Sequence, residues 1–174
     1  TEQKQAEEQL RRSEEKYEAL VENSNDGIVV LQDGLLKFVN PRITEIMGFS
    51  EEEVGKPFID FVTPEYRGLV RDRYLKRMSG IAVPNRYEIE LLHKNGQKVT
   101  VEVNASVINY EGKAADMAIL RDMTERKQAE AALTELQKAV ETSGEVIFLT
   151  DPSGVFTYVN PEFSRLYGYL PGEV

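Results

Sequence analysis

Residues 26–41 read DGIVVLQDGLLKFVNP. Two short apolar runs, 26–32 and 35–40, flank Asp33-Gly34, a dipeptide suited to the tight turn of a two-residue hairpin. Asn40 ends the second run and Pro41 follows without a spacer. Proline's fixed φ suits the first helical position, and asparagine suits the position before it. The second strand is therefore expected to run straight into a helix carrying Ile43, Ile46 and Met47, capped by Asn40 and ended by Gly48.

Working outward, Ser50-Glu-Glu-Glu53 has the spacing of a capping box. Thr63-Pro64 opens a longer helix that runs to about Ser79-Gly80 and carries Leu69, Val70, Tyr74 and Met78. Residues 85–93 alternate, with Tyr87, Ile89 and Leu91 on one face. Asn95-Gly96 makes a second tight turn. Residues 97–108 alternate again, with Val99, Val101, Val103, Ala105 and Val107 together. Glu111-Gly112 turns the chain into a fifth strand over 114–121. From Met123 a helical period returns, with Ala129, Leu133, Leu136 and Val140. Strands grouped in this way predict an α+β fold, an antiparallel sheet with helices on one face.

The opening pattern recurs. Residues 146–161 read VIFLTDPSGVFTYVNP, so Gly34, Val39-Asn40-Pro41 and Gly48 return as Gly154, Val159-Asn160-Pro161 and Gly168. Val21-Glu22 returns as Val140-Glu141. The first ten residues, TEQKQAEEQL, match 124–133, TERKQAEAAL, at seven positions. Such self-similarity at a long period marks repeated units. The expected organisation is a leading helix over 1–22, a complete domain over 23–122, a connecting helix over 123–142 and the opening of a second domain over 143–174. The leading match implies that a similar unit precedes this one in the parent protein. The hairpin of 144–174 lacks its partner strands, and is expected to pair with another chain or to lie on the connecting helix.

Composition narrows the chemistry. Of 174 residues, 41% are hydrophobic and 29% charged, the balance of a globular protein able to bury a core. Cysteine and tryptophan are absent and His93 is the single histidine. Those counts exclude disulfides, thiolate metal sites, a cysteine nucleophile and multi-histidine centres. The net charge of −9 divides as −3 over 1–22, −2 over 23–122 and −4 over 123–174. An acidic chain without a basic domain argues against nucleic acid and anionic membrane surfaces as partners. No apolar run reaches a membrane span.

These residues resemble the PAS superfamily of sensory domains. The resemblance covers essentially the whole chain. It rests on the hairpin ending in Phe38-Val39-Asn40-Pro41, the run Gly48-Phe49-Ser50-Glu51-Glu52-Glu53-Val54-Gly55, the Lys94-Asn95-Gly96 turn, and Arg121-Asp122-Met123-Thr124-Glu125-Arg126-Lys127. The last is similar to the family's Asp-x-Thr junction, where the final strand passes into a signalling helix. The resemblance implies a five-stranded antiparallel sheet with helices closing over a small cavity. It also implies an input or coupling module of a bacterial or archaeal histidine kinase, another two-component system protein, a diguanylate cyclase or a related regulator, acting in the cytoplasm or as the cytosolic part of a membrane-anchored sensor. Family members with cysteine-linked flavin need the cysteine absent here. Haem members use a histidine on the long helix, and 64–79 has none. No cofactor or metal is expected, and His93 is expected to face solvent.

The inward set expected to line the cavity is Ile28, Val30, Phe38, Ile43, Met47, Phe61, Val70, Tyr74, Tyr87, Ile89, Val101 and Val103. Asp26, Asp60 and Asp122 sit at element boundaries, where capping and turn formation explain them; no catalytic constellation appears, so an enzyme is not expected. Arg67, Arg71, Arg73, Lys76 and Arg77 make the long helix basic, read as a solvated face. Asp122 and Thr124 are the expected signal junction. Ala6, Leu10, Tyr17 and Leu20 form a short coiled-coil seam, which predicts a homodimer. The leading reading is thus a non-catalytic module that dimerises through flanking helices and couples its sheet to a downstream output domain. The alternative is a receptor for a small apolar or weakly polar ligand in the cavity.

Overall fold

The computed structural model describes residues 2–169, 172 and 173. Thr1, Leu170, Pro171 and Val174, which the sequence reading assigns to the leading helix and the second domain, lie outside the described residues. The chain divides into two compact units, Thr1–Thr124 and Glu125–Val174.

The first unit holds helix α1 (Glu2–Glu22), strands β1 (Gly27–Gln32) and β2 (Leu35–Val39), and helix α2 (Pro41–Met47). Two 3-10 turns, Glu51–Glu53 and Phe58–Phe61, lead to helix α3 (Pro64–Met78). Strands β3 (Arg86–Leu92), β4 (Lys98–Tyr110) and β5 (Lys113–Asp122) complete a five-stranded antiparallel sheet in the order β2-β1-β5-β4-β3. Asp33 and Gly34 both adopt positive φ, 55° and 75°, as do Glu111 and Gly112, 49° and 78°. These paired left-handed residues give the primed turns whose twist matches the flanking strands. The last strand enters the centre of the sheet, between β1 and β4.

That insertion fixes which side chains face inward. Val101, Val103 and Ala105 of β4 face the core, and Val103 and Ala105 pair with Leu120 and Ala118 of β5. Ala118 pairs in turn with Val29 of β1, which sets Val29 and Leu31 inward. Ile28 and Val30 therefore point to the other face, where they pair with Ile119 and Met117, and Val30 pairs with Phe38. This corrects the expected inward set: Ile28, Val30 and Phe38 do not face the cavity. A continuous apolar run has no alternation to reveal its phase, and the phase here comes from a strand some ninety residues away.

Ser50 and Glu53 form the expected capping box. The Ser50 N–H donates to Glu53 Oε2 at 2.8 Å and the Glu52 N–H donates to Ser50 Oγ at 3.5 Å. The backbone donor at Ser50, aided by Lys94 and Lys56, holds the Glu53 carboxyl below its usual range. Two other caps differ from expectation. Thr63 precedes α3 without a side-chain cap, and its Oγ1 is buried with no partner. Asn40 precedes α2 but spends its side chain elsewhere. His93 is half-buried and not solvent-facing; its ring packs against Gly48 and its Nδ1 accepts from the Asn95 N–H at 3.1 Å.

Positions 3–20 of α1 are exposed throughout, so this helix does not lie along its own domain. Leu10, Tyr17 and Leu20 are 61%, 66% and 62% exposed.

The second unit carries most of helix α4 (Thr124–Glu141), strands β6 (Phe148–Thr150) and β7 (Phe156–Val159), and helix α5 (Pro161–Tyr167). Phe148, Phe156 and Phe163 stack edge-to-face, with centroids 5.4–6.1 Å apart. Positions 124–139 of α4 are exposed, so the hairpin's apolar side chains do not rest along it.

Gly48 has φ +70°, and a Cβ there would meet His93 Cε1 at 2.9 Å; Gly34 has φ +75° with nothing within 4 Å. Left-handed backbone costs a non-glycine residue about 1–2 kcal/mol. Gly34→Ala should lose about that much in urea denaturation, and Gly48→Ala measurably more.

Candidate functional site

Between the inner face of the sheet and the helical cover lies a cavity of about 90 Å³. Its walls are apolar side chains from β1, β2, α2, α3, β3, β4 and β5, with Phe49, Phe58 and Phe61 from the connecting turns. Of the residues anticipated from sequence, Ile43, Met47, Phe61, Val70, Tyr74, Tyr87, Ile89 and Val103 border it. Val101 is fully buried in the same core but behind the wall. The sequence reading missed Arg77 and Asp116, which also border the cavity.

Arg77 and Asp116 make one pole of this space. The Arg77 Nη1 donates to Asp116 Oδ2 at 2.7 Å, with both side chains nearly inaccessible to solvent. The expected solvated basic face is thus broken up: Arg77 turns inward, the Arg67 Nε donates to the Val62 carbonyl, and Lys76 pairs with Asp72. Arg73 lies over the Tyr87 ring at 4.0 Å. Helical spacing groups charges by face but cannot reveal that one of them meets a carboxylate from β5. Burial raises the Asp116 carboxyl above its usual range, although Arg77 opposes the shift. Burial likewise raises the Tyr87 phenol, again opposed by Arg77. Tyr74 completes the polar rim; its hydroxyl accepts from the Gly34 N–H at 3.0 Å, tying α3 to the first hairpin.

A second constellation joins the domain to its flanking helices. Asn40 is almost fully buried. Its Oδ1 accepts from the Ile28 N–H at 2.8 Å, and its Nδ2 donates to the carbonyls of Val21, in the last turn of α1, and Asp26 at 3.0 and 3.2 Å. Asn160 repeats the arrangement in the second unit. It accepts from the Ile147 N–H and donates to the carbonyls of Val140 and Glu145. Asn160 also caps α5 through the Phe163 N–H, which Asn40 does not do for α2.

At the other end of the sheet's path, Asp122 Oδ1 accepts from the Thr124 N–H at 2.8 Å and its hydroxyl at 2.6 Å. Met123, between them, is buried, and its N–H donates to the Thr100 carbonyl. Arg121 grips Asp26 with two hydrogen bonds, Nε to Oδ1 at 3.1 Å and Nη2 to Oδ2 at 2.9 Å. Hydrogen bonds thus link Val21, Asn40, Asp26 and Arg121, and separately Asp122 and Thr124, with the backbone of β5 joining the two sets between Arg121 and Asp122. Among the described residues, no group of three or more His, Asp or Glu is placed to hold a metal ion, and no helix is long and apolar enough to cross a membrane.

An antiparallel five-stranded sheet with short helices closed over a small core cavity, entered and left through helices, defines a class of small sensory α+β domains. The chain belongs to the PAS domain family, whose profile matches residues 25–125, and a PAS fold profile matches 134–174. Over 132 residues it is 32% identical to the methyl sulfide methyltransferase-associated sensor of Methanosarcina acetivorans, covering 74% of this chain and 13% of that protein. It is 27% identical to sporulation kinase A of Bacillus subtilis, covering 87% of this chain and 27% of the kinase. Among solved structures, the PAS domain of an HTR-like protein from Haloarcula marismortui matches with a TM-score of 0.58 and 32% identity, covering 68% of this chain and 98% of that domain. The chain spans only 13% and 27% of the length of these curated relatives.

Breaking a buried ion pair strands a charge and costs about 3–5 kcal/mol, whereas replacing both partners by apolar residues is often neutral. Arg77→Met alone should therefore destabilise strongly in urea, and the double variant Arg77→Met/Asp116→Leu should recover most of the loss. The folded state holds the Asp116 proton more tightly than the unfolded chain does. Its contribution to stability is fully present below the unfolded carboxyl range and is lost as pH rises through the raised folded value. The stability of the unmodified protein relative to the double variant should fall as pH rises across that window.

Proposed function

We propose that this chain is a relay module of a larger signalling protein, which dimerises through its flanking helices and passes a change in its sheet to the helix that begins at Thr124. The observation that carries this reading is the pair of hydrogen-bonded stretches, Val21–Asn40–Asp26–Arg121 and Asp122–Thr124, joined by the peptide bond between Arg121 and Asp122. No glycine or proline interrupts 121–130, so the last strand feeds the helix without a flexible linker. Asp122 fixes the helix start by accepting from the free donors of Thr124. A displacement of β5 must then be felt at the helix. The exposed seam of Leu10, Tyr17 and Leu20, with Ala6 four residues before Leu10, supports pairing of α1 with a second copy. The relatives named as a sensor and a kinase support the setting, an output domain elsewhere in the parent protein.

A second reading is favoured by the cavity: occupancy by a small molecule as the signal. A core space bordered by a buried ion pair is unusual for a domain that only transmits, since a filled apolar core costs less to build.

The relay is tested in the full-length parent. Asp122→Ala/Thr124→Ala should change signalling output severalfold while the melting temperature moves by only a few degrees, the scale of a lost cap. Unchanged output would refute it. Leu10→Asp/Leu20→Asp should turn a dimer into a monomer in analytical ultracentrifugation; an unaltered sedimentation coefficient would remove the α1 seam from the interface.

A further inference from the structure

The polar pole of the cavity has unused hydrogen-bonding capacity. Arg77 and Asp116 are more than nine-tenths buried, yet they meet through one contact, Nη1 to Oδ2. The Asp116 Oδ1 has no donor and the Arg77 Nε has no acceptor, and neither atom reaches solvent. Arg77 Nη2 reaches the Pro84 carbonyl at 3.5 Å, and the guanidinium also interacts with the Tyr87 hydroxyl. A buried polar atom left without a partner costs stability comparable to a lost hydrogen bond. Here two such atoms, one acceptor and one donor, belong to side chains that border the same space.

We infer that the cavity takes a small neutral molecule bearing an amide-type group, a carboxamide, lactam or urea, whose N–H donates to Asp116 Oδ1 and whose carbonyl accepts from Arg77 Nε. This rests on the receptor reading above and names its ligand class. Three properties call for a neutral ligand that both donates and accepts, and an amide, unlike a hydroxyl, carries its donor and acceptor on separate atoms to meet the separate Oδ1 and Nε. The two free valences are of opposite kind, so a ligand that only accepts or only donates satisfies one and strands the other. The Arg77–Asp116 pair is neutral overall and the neighbouring Arg73 guanidinium is stacked on the Tyr87 ring, so a charged ligand would lose its hydration without meeting a net counter-charge from the pair. Apart from the Tyr74 and Tyr87 hydroxyls the rest of the wall is apolar, with Leu31, which pairs with Asp116, and Ala105 and Ala118 on the same stretch of sheet, which suits a short hydrocarbon body. At about 90 Å³ the space is smaller than the roughly 150 Å³ cavity that admits benzene. The body is therefore a few carbons and not a fused ring system. Because Asp116 stands on β5, the strand that ends in Asp122, occupancy of this pole acts directly on the strand that leads out of the domain.

The test uses 2-pyrrolidinone, which donates and accepts, against cyclopentanone, which has nearly the same shape and only accepts, and acetate, which is charged. Binding is followed in the full chain by the methyl resonances of Leu31, Ala105 and Ala118, the lining methyls nearest Asp116 in the sheet. The lactam should bind about tenfold or more tighter than cyclopentanone, the scale of one buried donor left unpaired, and acetate should not compete. The Arg77 Nε–H resonance should move on lactam addition and stay put with acetate. In Arg77→Met/Asp116→Leu the preference should vanish or reverse. Equal binding of lactam and ketone, a preference that survives the double change, or an unmoved Arg77 Nε–H signal would each overturn the amide assignment and leave the receptor reading standing. No binding of any probe would overturn both, and would leave the relay reading untouched. If the double variant fails to fold, the Arg77 signal in the unmodified protein decides.

Discussion

The side-chain amide of Asn40 holds the incoming helix, the loop that follows it and the first strand in one geometry. A buried amide must find partners for its donors and acceptor, because each unmet one costs roughly 1–3 kcal/mol. Asn40 finds them in three separate places, the last turn of α1, the loop before β1, and β1 itself. None of those groups can shift alone without opening a buried hydrogen bond. The same residue type in the second unit bonds the same kinds of group, Val140, Glu145 and Ile147. One chemical solution thus serves two successive units, each tying the end of a preceding helix to a hairpin core.

The rest of the first unit builds on that anchor. Asp26 lends its carbonyl to Asn40 and its carboxylate to Arg121, so the beginning of β1 and the end of β5 are held together. β5 is central in the sheet, flanked by β1 and β4, and carries both Asp116 at the cavity and Asp122 at the outgoing helix. A buried ion pair is a poor way to gain stability, since apolar residues of similar volume often do as well. Asp116 of that pair stands on β5, the strand that ends at Asp122, and Arg77 reaches it from α3.

Much of this was legible in the sequence, and the limits have physical causes. Asp-Gly and Glu-Gly turns, the Ser50–Glu53 capping box and the alternation of β4 are local signals, and each element follows from them. Asn40-Pro41 was legible as a helix start, but the asparagine's role was not, because its partners lie in α1 and β1 rather than in the helix it precedes. The repeat did mark the right residues: Val21 and Val140, Asn40 and Asn160 recur together, and each pair is bonded in its own unit. Ile28, Val30 and Phe38 were placed on the wrong face because only pairing with β5 sets the phase of a continuous apolar run. Arg77 was hidden among basic neighbours on α3, and Asp116 in a strand otherwise rich in alanine; their meeting spans 39 residues and has no local signature.

The central claim is that the incoming helix and the outgoing junction are mechanically joined through Asn40. It is tested most directly by residue-resolved amide hydrogen exchange of Asn40→Ala beside a core variant matched in global stability, such as Ile43→Val or Ile43→Ala. If the account holds, Asn40→Ala speeds exchange at Met123 and Thr124, as well as at Ile28, by more than the matched core variant does. If the two variants raise exchange at Met123 and Thr124 equally, in proportion to lost global stability, the two ends of the domain are not joined by this route and the account is wrong.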